Sequence, residues 1–354
     1  MTRILYILLF GFLLSVPAAQ VEAGNPDRQG EGGAPQLLMN PWARSAGLHT
    51  MTTSMVSGVE AMRINVAGLG RINKTQFLGA HGIYLEGTDI RMNGFGLAQR
   101  LGEGGALGIS IMALDFGDIP VTTTEQPEGT GATFSPSFFN IGLGYSYTFE
   151  NRISVGILFR AISESIADLT GSAFGIDAGV QYVTGENDNF KFGISLRNIG
   201  GRMRYSGEGL SFGAPIPLGS GEYELASNRR PSSFELPSVL NLGISYDFLF
   251  GEKARFTLVG NFTSNAFSQD QIGGGAEFAF NEMLMLRGGY RLDFGATAED
   301  TAPDALYAGP CAGVTLDVPV RKDEPNGTRF GIDYAYRVAN VFNGTHNITI
   351  RLNL

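Results

Sequence analysis

The feature that most constrains this sequence is a strict alternation of apolar with small or polar residues, repeated along most of the chain. It is clearest from Ser137 to Glu150, where large apolar or aromatic side chains occupy every second position and Gly, Ser, Asn or Thr separates them. Successive side chains of a β-strand point to opposite faces, so this segment predicts a strand with one apolar and one small, polar face. A water-soluble sandwich usually carries Lys and Glu on its outside, whereas a membrane barrel is apolar outside and polar inside. The alternation therefore predicts a transmembrane β-barrel.

Fourteen segments from Thr75 onward show this pattern. They are Thr75 to Leu85, Arg91 to Leu101, Gly105 to Asp115, Ser137 to Glu150, Arg152 to Glu164, Gly171 to Thr184, Asn189 to Asn198, Ser238 to Phe250, Lys253 to Asn265, Gln271 to Phe280, Met283 to Phe294, Tyr307 to Val318, Gly327 to Val338 and Thr345 to Leu354. Single-chain bacterial barrels have an even number of antiparallel strands. Residues 75–354 allow about 20 residues for each strand with its connection, which suits a tilted strand plus a turn. We therefore expect an all-β protein whose residues 75–354 form a 14-stranded antiparallel outer-membrane barrel.

The connections between these segments alternate in length. Short ones are expected on the periplasmic side, and the long ones include Phe116 to Pro136, Ile199 to Pro237 and Gly295 to Leu306. Pro319 to Asn326 is an exception, being long for a periplasmic turn. Aromatic side chains near the expected periplasmic rim predict a girdle. They are Tyr147, Phe149, Tyr182, Phe190, Phe248, Phe250, Phe280 and Phe330.

The residues before the barrel divide into three segments. Residues 1–23 have an early arginine, an apolar core and a small-residue cleavage site, which predicts a secretory signal peptide. Residues 24–35 are rich in Gly, Pro and charge and predict a flexible stretch. Residues 36–74 are apolar and dotted with glycine, and we expect them to form a plug in the lumen that a 14-stranded barrel leaves. The alternative is a periplasmic tail that only precedes the barrel.

The segment 37–69 resembles the N-terminal region of the PorV/PorQ family, a bacteroidete branch of the FadL-like outer-membrane barrels. That family has an Ala-Arg-x-x-Gly segment and, some twenty residues later, Asn-Pro-Ala-Gly-Leu. The matching positions are Ala43, Arg44, Gly47, Asn65, Ala67, Gly68 and Leu69. The chain departs from the pattern at Val66, where the family usually has proline, and at Leu48-His49, where it often has Met-Gly.

This resemblance implies a 14-stranded barrel with a plug that acts as an accessory protein of type IX secretion. It implies partners among exported C-terminal domains and the secretion translocon, in addition to outer-membrane lipid. The long outer loops 116–136 and 199–237 are then the expected binding surface. Long outer loops are also ordinary in such barrels, so they do not establish this role by themselves.

The wider FadL-like group implies a second reading, passive transport of hydrophobic or amphiphilic molecules. By alternation, Arg160, Arg197, Arg291 and Arg337 point inward in the outer half of the barrel, where they can attract a carboxylate head group or an acidic peptide. Together with the inward carboxylates Asp177 and Asp333, these arginines are the candidate residues for a ligand in the lumen. The alternative is that the arginines pair with carboxylates of the plug or wall and simply fill the lumen.

Gly309 and Pro310 interrupt an otherwise strand-like segment. Proline cannot donate to a β-ladder, so this position is a candidate kink or side opening in the wall. A strand that begins a few residues later explains the same residues equally well.

Other function classes find little support. A net charge of −9 gives no reason to expect nucleic-acid binding, and a single cysteine excludes a disulfide framework. The chain has three histidines and lacks Gly-x-Ser-x-Gly, His-Glu-x-x-His and Cys-x-x-Cys motifs, so we expect no enzyme activity, metal or cofactor.

Overall fold

The computed structural model describes residues 28, 30–218, 221–294, 306–307, 309–321, 327–340 and 342–354. The predicted signal peptide, residues 1–23, lies outside the described residues, as do residues 24–27 of the stretch that follows it.

Fourteen long strands form the barrel. They are β1 (Thr75–Tyr84), β2 (Ile90–Leu101), β3 (Gly105–Asp115), β4 (Ser137–Phe149), β5 (Ile153–Ile166), β6 (Leu169–Thr184), β7 (Phe190–Gly200), β8 (Val239–Phe250), β9 (Ala254–Asn265), β10 (Gln271–Phe280), β11 (Leu284–Asp293), β12 (Gly309–Pro319), β13 (Arg329–Arg337) and β14 (Thr345–Asn353).

Each strand pairs antiparallel with its neighbours in the sequence, and the ring closes between β1 and β14. That last seam runs from the pair Gln76 and Asn353 to the pair Ile83 and His346. Closure leaves the ring without a free edge strand, which is what a sheet inside lipid requires. The prediction of a 14-stranded antiparallel barrel is confirmed, and no strand end differs from its predicted position by more than two residues.

The two faces of the wall have the predicted polarity. On β4, Leu143 and Tyr145 are exposed on the outer surface, while Asn140 and Ser146 between such positions are buried inside the barrel. The aromatic residues predicted for the periplasmic girdle are all exposed on the outer face. A 14-stranded barrel with an apolar outer band is the architecture of a transmembrane protein.

Short turns and long loops lie at opposite ends of the barrel. Glu150 and Asn151 both have positive φ, 46° and 59°, which is the backbone of the tight hairpin that joins β4 to β5. At the other end, the loop between β7 and β8 contains its own hairpin, Ser211–Leu218 with Gly221–Asn228, and the segment Arg204–Ser206 extends the sheet beside β6. A second small hairpin, Ile119–Pro120 with Thr133–Phe134, lies between β3 and β4.

The segment before β1 is made of short helical turns. They are two α-helices, α1 (Ala43–Ala46) and α2 (Ala61–Ile64), and the 3₁₀ turns Pro35–Leu38, Gly58–Glu60 and Val66–Gly70. We call residues 35–74 the plug segment. None of the described helices is long or apolar enough to cross a membrane.

Inward polar side chains of the wall bind the plug segment. The Ala43 N–H donates to Thr349 Oγ1 of β14 over 2.9 Å, and the Gly70 N–H donates to Ser146 Oγ of β4 over 3.2 Å. Gln181 of β6 donates to the carbonyl oxygens of Thr53 and Val56 over 3.1 and 3.0 Å. The wall thus supplies partners for backbone groups that the short helices leave unsatisfied.

Inward glycines bring the plug backbone directly against the wall. A Cβ at Gly156 of β5 would lie 2.7 Å from the Val66 carbonyl carbon, and one at Gly193 of β7 would lie 2.3 Å from the Thr53 carbonyl oxygen. Apolar plug residues such as Val59, Met62 and Leu69 are buried in the same cluster as wall residues. The small inward face seen in the sequence is therefore the face that accommodates the plug segment.

We predict that Leu143→Arg destabilises the barrel through its lipid-facing surface. Leu143 lies in the middle of β4 with 52% of its surface exposed, and a charge near the bilayer midplane costs about 2–4 kcal/mol. Urea unfolding in lipid vesicles measures the free energy of unfolding. Thr123→Arg in the exposed outer loop is the control and should leave it unchanged; equal stability of the two variants would contradict a membrane-embedded β4.

Candidate functional site

A cavity of about 370 Å³ lies in the lumen between the plug segment and the wall. Plug residues Met39, His49 and Met51 line one side. The opposite side is polar wall of β7 to β11 and β13, together with Tyr84 and Tyr307 near the outer end. The polar wall residues are Arg197, Asn241, Asn261, Thr263, Asn265, Gln271, Arg291 and Arg337. We call this space the outer cavity.

Three of the four arginines that the sequence places in the outer half line this cavity. Arg197 donates to the Arg63 carbonyl oxygen, and Arg291 Nη2 donates to the Tyr307 carbonyl oxygen over 2.7 Å. Arg337 lies over the Tyr307 ring at 4.4 Å, and its Nη2 is 3.5 Å from Asn347 Oδ1. Each therefore hydrogen bonds to a neutral oxygen.

The guanidinium groups of these arginines keep unused donors. The Nε atoms of Arg197, Arg291 and Arg337 are buried and have no hydrogen-bond partner among the described residues. A buried donor without an acceptor is costly, and three positive charges around one space favour a negative occupant. The outer cavity is chemically suited to a carboxylate or a similar anion.

His49 adds a polar group to the plug side of the outer cavity. Its Nε2 is 2.8 Å from the Gly309 carbonyl oxygen. A carbonyl oxygen only accepts, so Nε2 carries a proton. The buried Nδ1 has no hydrogen-bond partner among the described residues.

Arg160 and Asp177, by contrast, are bound to each other. Arg160 Nη2 lies 2.8 Å from Asp177 Oδ2, and the same guanidinium group donates to Asn140 and to the Met62 carbonyl oxygen. The Asn198 N–H donates to the other Asp177 oxygen over 2.6 Å. Both charges are buried and paired with each other, and Arg160 is not among the residues that line the outer cavity, so this pair joins the plug to the wall.

In the inner half of the lumen, a carboxylate that the sequence analysis missed organises the charges. Glu277 of β10 has 0% exposed surface and receives three arginines: Arg255 at 3.1 Å, Arg287 at 2.9 Å and the plug residue Arg44 at 3.7 Å. The alternation of β10 places Glu277 on the inward face, so the period-two pattern of the sequence already predicts that this carboxylate points into the lumen.

Asp317 of β12 was missed in the same way. Its carboxylate lies 2.7 Å from Arg329 and 3.1 Å from Arg351, and Arg351 is also 3.6 Å from Asp333. Asp333, proposed from the sequence as a lumen ligand residue, therefore belongs to this inner network and not to the outer cavity.

The remaining residues of the plug motif pack the plug segment against itself and the wall. Asn65 accepts from the Ala67 N–H over 3.2 Å and donates to the carbonyl oxygens of Thr53 and Val180. A Cβ at Gly68 would lie 2.1 Å from the Val56 carbonyl oxygen, and Gly47 touches Gly313 of β12. Ala43 and Leu69 are fully buried. These positions demand small or specifically bonded side chains for packing.

Gly309 and Pro310 lie at the outer end of β12, where the strand begins. They pair in register with Arg291 and Tyr290 of β11, and the Val338 N–H donates to the Pro310 carbonyl oxygen over 3.3 Å. The one shift of register recorded in the described barrel lies between β6 and β7, next to Asp177. Within the described residues, no cluster of three or more His, Cys, Asp or Glu side chains is arranged to hold a metal ion.

The sequence matches a known family over most of its length. The family model described as "Type IX secretion system membrane protein PorP/SprF" matches residues 89–352. No curated protein matches the sequence.

Two solved barrels share the fold. A mutant of the TodX monoaromatic hydrocarbon channel superposes with a TM-score of 0.54 at 13% identity, covering 88% of this chain and 97% of its own. The toluene transporter TbuX of Ralstonia pickettii gives a TM-score of 0.52 at 13% identity, covering 91% and 98%. At this identity the likeness establishes the FadL-like barrel fold alone.

We predict that Glu277→Gln strongly destabilises the protein, because it leaves three arginines around an uncharged group. Removing one partner of a buried ion pair costs about 3–5 kcal/mol. Glu282→Gln is the matched control, since Glu282 bonds the same Arg255 but its side chain is 54% exposed, and exposed pairs contribute about 0–1 kcal/mol. Urea unfolding in vesicles compares the two, and similar midpoints would contradict the central role of Glu277.

Proposed function

The chain belongs to the PorP/SprF family of type IX secretion system membrane proteins, and from this we propose that it is an accessory barrel that engages exported proteins or translocon partners through its outer loops. Its barrel places it in the bacterial outer membrane. The narrower resemblance to PorV/PorQ in the plug motif supports the same role, in which exported C-terminal domains are the clients.

The anchoring of the outer loop between β7 and β8 supports its role as a binding surface. Met203 and Phe234 pair across the base of the loop through two backbone hydrogen bonds of 2.9 and 3.0 Å. Glu235 lies between Arg28 at 3.1 Å and Arg202 at 2.9 Å, and these two hydrogen bonds lower the pKa of Glu235. Residues 201–238 are therefore held at their base on a rigid wall, as binding loops usually are.

The described hairpins also expose apolar side chains to the outside of the cell. Phe212 in the β7–β8 loop and Ile119 in the β3–β4 loop are exposed, and Arg229 lies over the Phe212 ring at 5.3 Å. Aromatic and arginine side chains are enriched where proteins bind each other. The plug segment meanwhile occupies the lumen, so the outer surface is the face on which a folded partner can dock.

A pull-down from the native outer membrane tests this role. Tagged protein, extracted in mild detergent, should recover exported C-terminal domains or a large translocon, identified by mass spectrometry. A variant in which residues 208–228 are replaced by a short Gly-Ser link should lose them while keeping the barrel. Arg197→Gln in the lumen is the control and should retain them. Recovery of the same partners after removal of the loop would count against the proposal.

The second candidate is passage of small hydrophobic or amphiphilic molecules, and the outer cavity supports it. The structural neighbours are a hydrocarbon channel and a toluene transporter, and the cavity of this chain is lined by Arg197, Arg291 and Arg337. On this reading the favoured ligand is an aromatic or aliphatic carboxylate and not a neutral hydrocarbon.

We predict that the purified protein binds benzoate more tightly than toluene if this second function holds. Arg291→Gln should weaken benzoate binding about tenfold or more, since a hydrogen bond to a charged group contributes about 1.5–3 kcal/mol. Toluene binding should be unaffected. Isothermal titration with both compounds measures this, with Arg229→Gln in the outer loop as control. Equal affinity for the two ligands would exclude the arginines as a recognition element.

A further inference from the structure

The described part of the chain before β1 runs through the lumen from one end of the barrel to the other. Because β1 starts at the periplasmic rim and consecutive strands alternate in direction, the β7–β8 and β9–β10 connections both lie at the outer end. The first described residues contact these two connections, whereas the last plug residues contact periplasmic turns. The chain therefore enters the barrel from the outside and leaves it at the periplasmic rim.

The outer end of this path is attached at several points. The Gly33 N–H donates to the Glu235 carbonyl oxygen over 3.0 Å, and Gly32 forms a parallel β-bridge with Glu235. Arg28 Nη2 lies 3.1 Å from the Glu235 carboxylate, and the Arg28 guanidinium lies 4.5 Å from the Phe267 ring centre in the β9–β10 connection. Ala34, which follows, is 3% exposed.

The inner end is attached equally well. Arg100 Nη1 donates to the Ile72 carbonyl oxygen over 2.9 Å, and the Arg100 N–H donates to the Lys74 carbonyl oxygen over 2.8 Å. Arg71 Nη2 donates to the Arg152 carbonyl oxygen, next to the turn between β4 and β5. After Lys74 the chain continues directly into β1.

We propose that the part of the chain ahead of the plug, Arg28 and residues 30–34, is displayed on the cell surface and that the plug segment is a threaded column fixed at both ends. This part and the base of the β7–β8 loop, at Met203, Phe234 and Glu235, then form one composite outer surface, built from parts of the chain some 200 residues apart. The plug cannot swing into the periplasm as a hinged lid, because that motion pulls residues 30–34 back through the whole lumen.

Labelling of single cysteines in intact cells tests the topology. Glu31→Cys reports on the N-terminal segment, Glu125→Cys on an outer loop and Glu252→Cys on a periplasmic turn, and all three glutamates are exposed. A membrane-impermeant maleimide should label the first two in intact cells, and the third only after the outer membrane is permeabilised. The native Cys311 is buried, so wild type should remain unlabelled. Labelling of Glu31→Cys only after permeabilisation would overturn the proposal.

This conclusion rests only on the path of the chain and not on the proposed function. A negative pull-down would count against the secretion role and would not affect the labelling result.

Discussion

The structure depends on one constraint, that a sheet inside lipid must leave no backbone N–H or C=O without a partner. A closed ring meets it, and closure here is made by the seam between β1 and β14. Once the ring is closed, each strand has one face toward lipid and one toward the lumen, which is why apolar and small polar residues alternate so strictly. The position of every inward charge and of the plug segment follows from that division of faces.

The lumen of this barrel is filled in two different ways. In its inner half, Glu277 and Asp317 are surrounded by arginines, and Arg44 of the plug shares Glu277 with the wall. This half is electrically satisfied and joins plug to barrel. In the outer half, Arg197, Arg291 and Arg337 line a cavity and hydrogen bond to neutral oxygens, which is where an anion gains most. The inner charge network therefore has a structural role and the outer cavity is a candidate binding site, although both contain the same residue types.

Much of the fold was readable from period-two alternation, because a strand's side chains can point only to one face or the other. Leu143 outward, Ser146 inward and the ends of β3 and β10 all follow from it, and so do the inward directions of the four proposed arginines. Alternation also places Glu277 and Asp317 inward. Neither stands out in the sequence, because a single acidic residue on an alternating strand does not reveal which arginines surround it.

What the sequence by itself determined is local: which segments are strands, which face of each is apolar, and that a glycine-dotted segment precedes the barrel. Only the tertiary structure decided that Arg160 is paired with Asp177 while Arg291 bonds the Tyr307 carbonyl oxygen and lines a cavity, since which side chains meet depends on strand register and barrel closure. The direction of the plug was likewise a tertiary decision. Contacts such as Gly33 with Glu235 join residues far apart in the chain, and no local periodicity encodes which residues meet across a lumen.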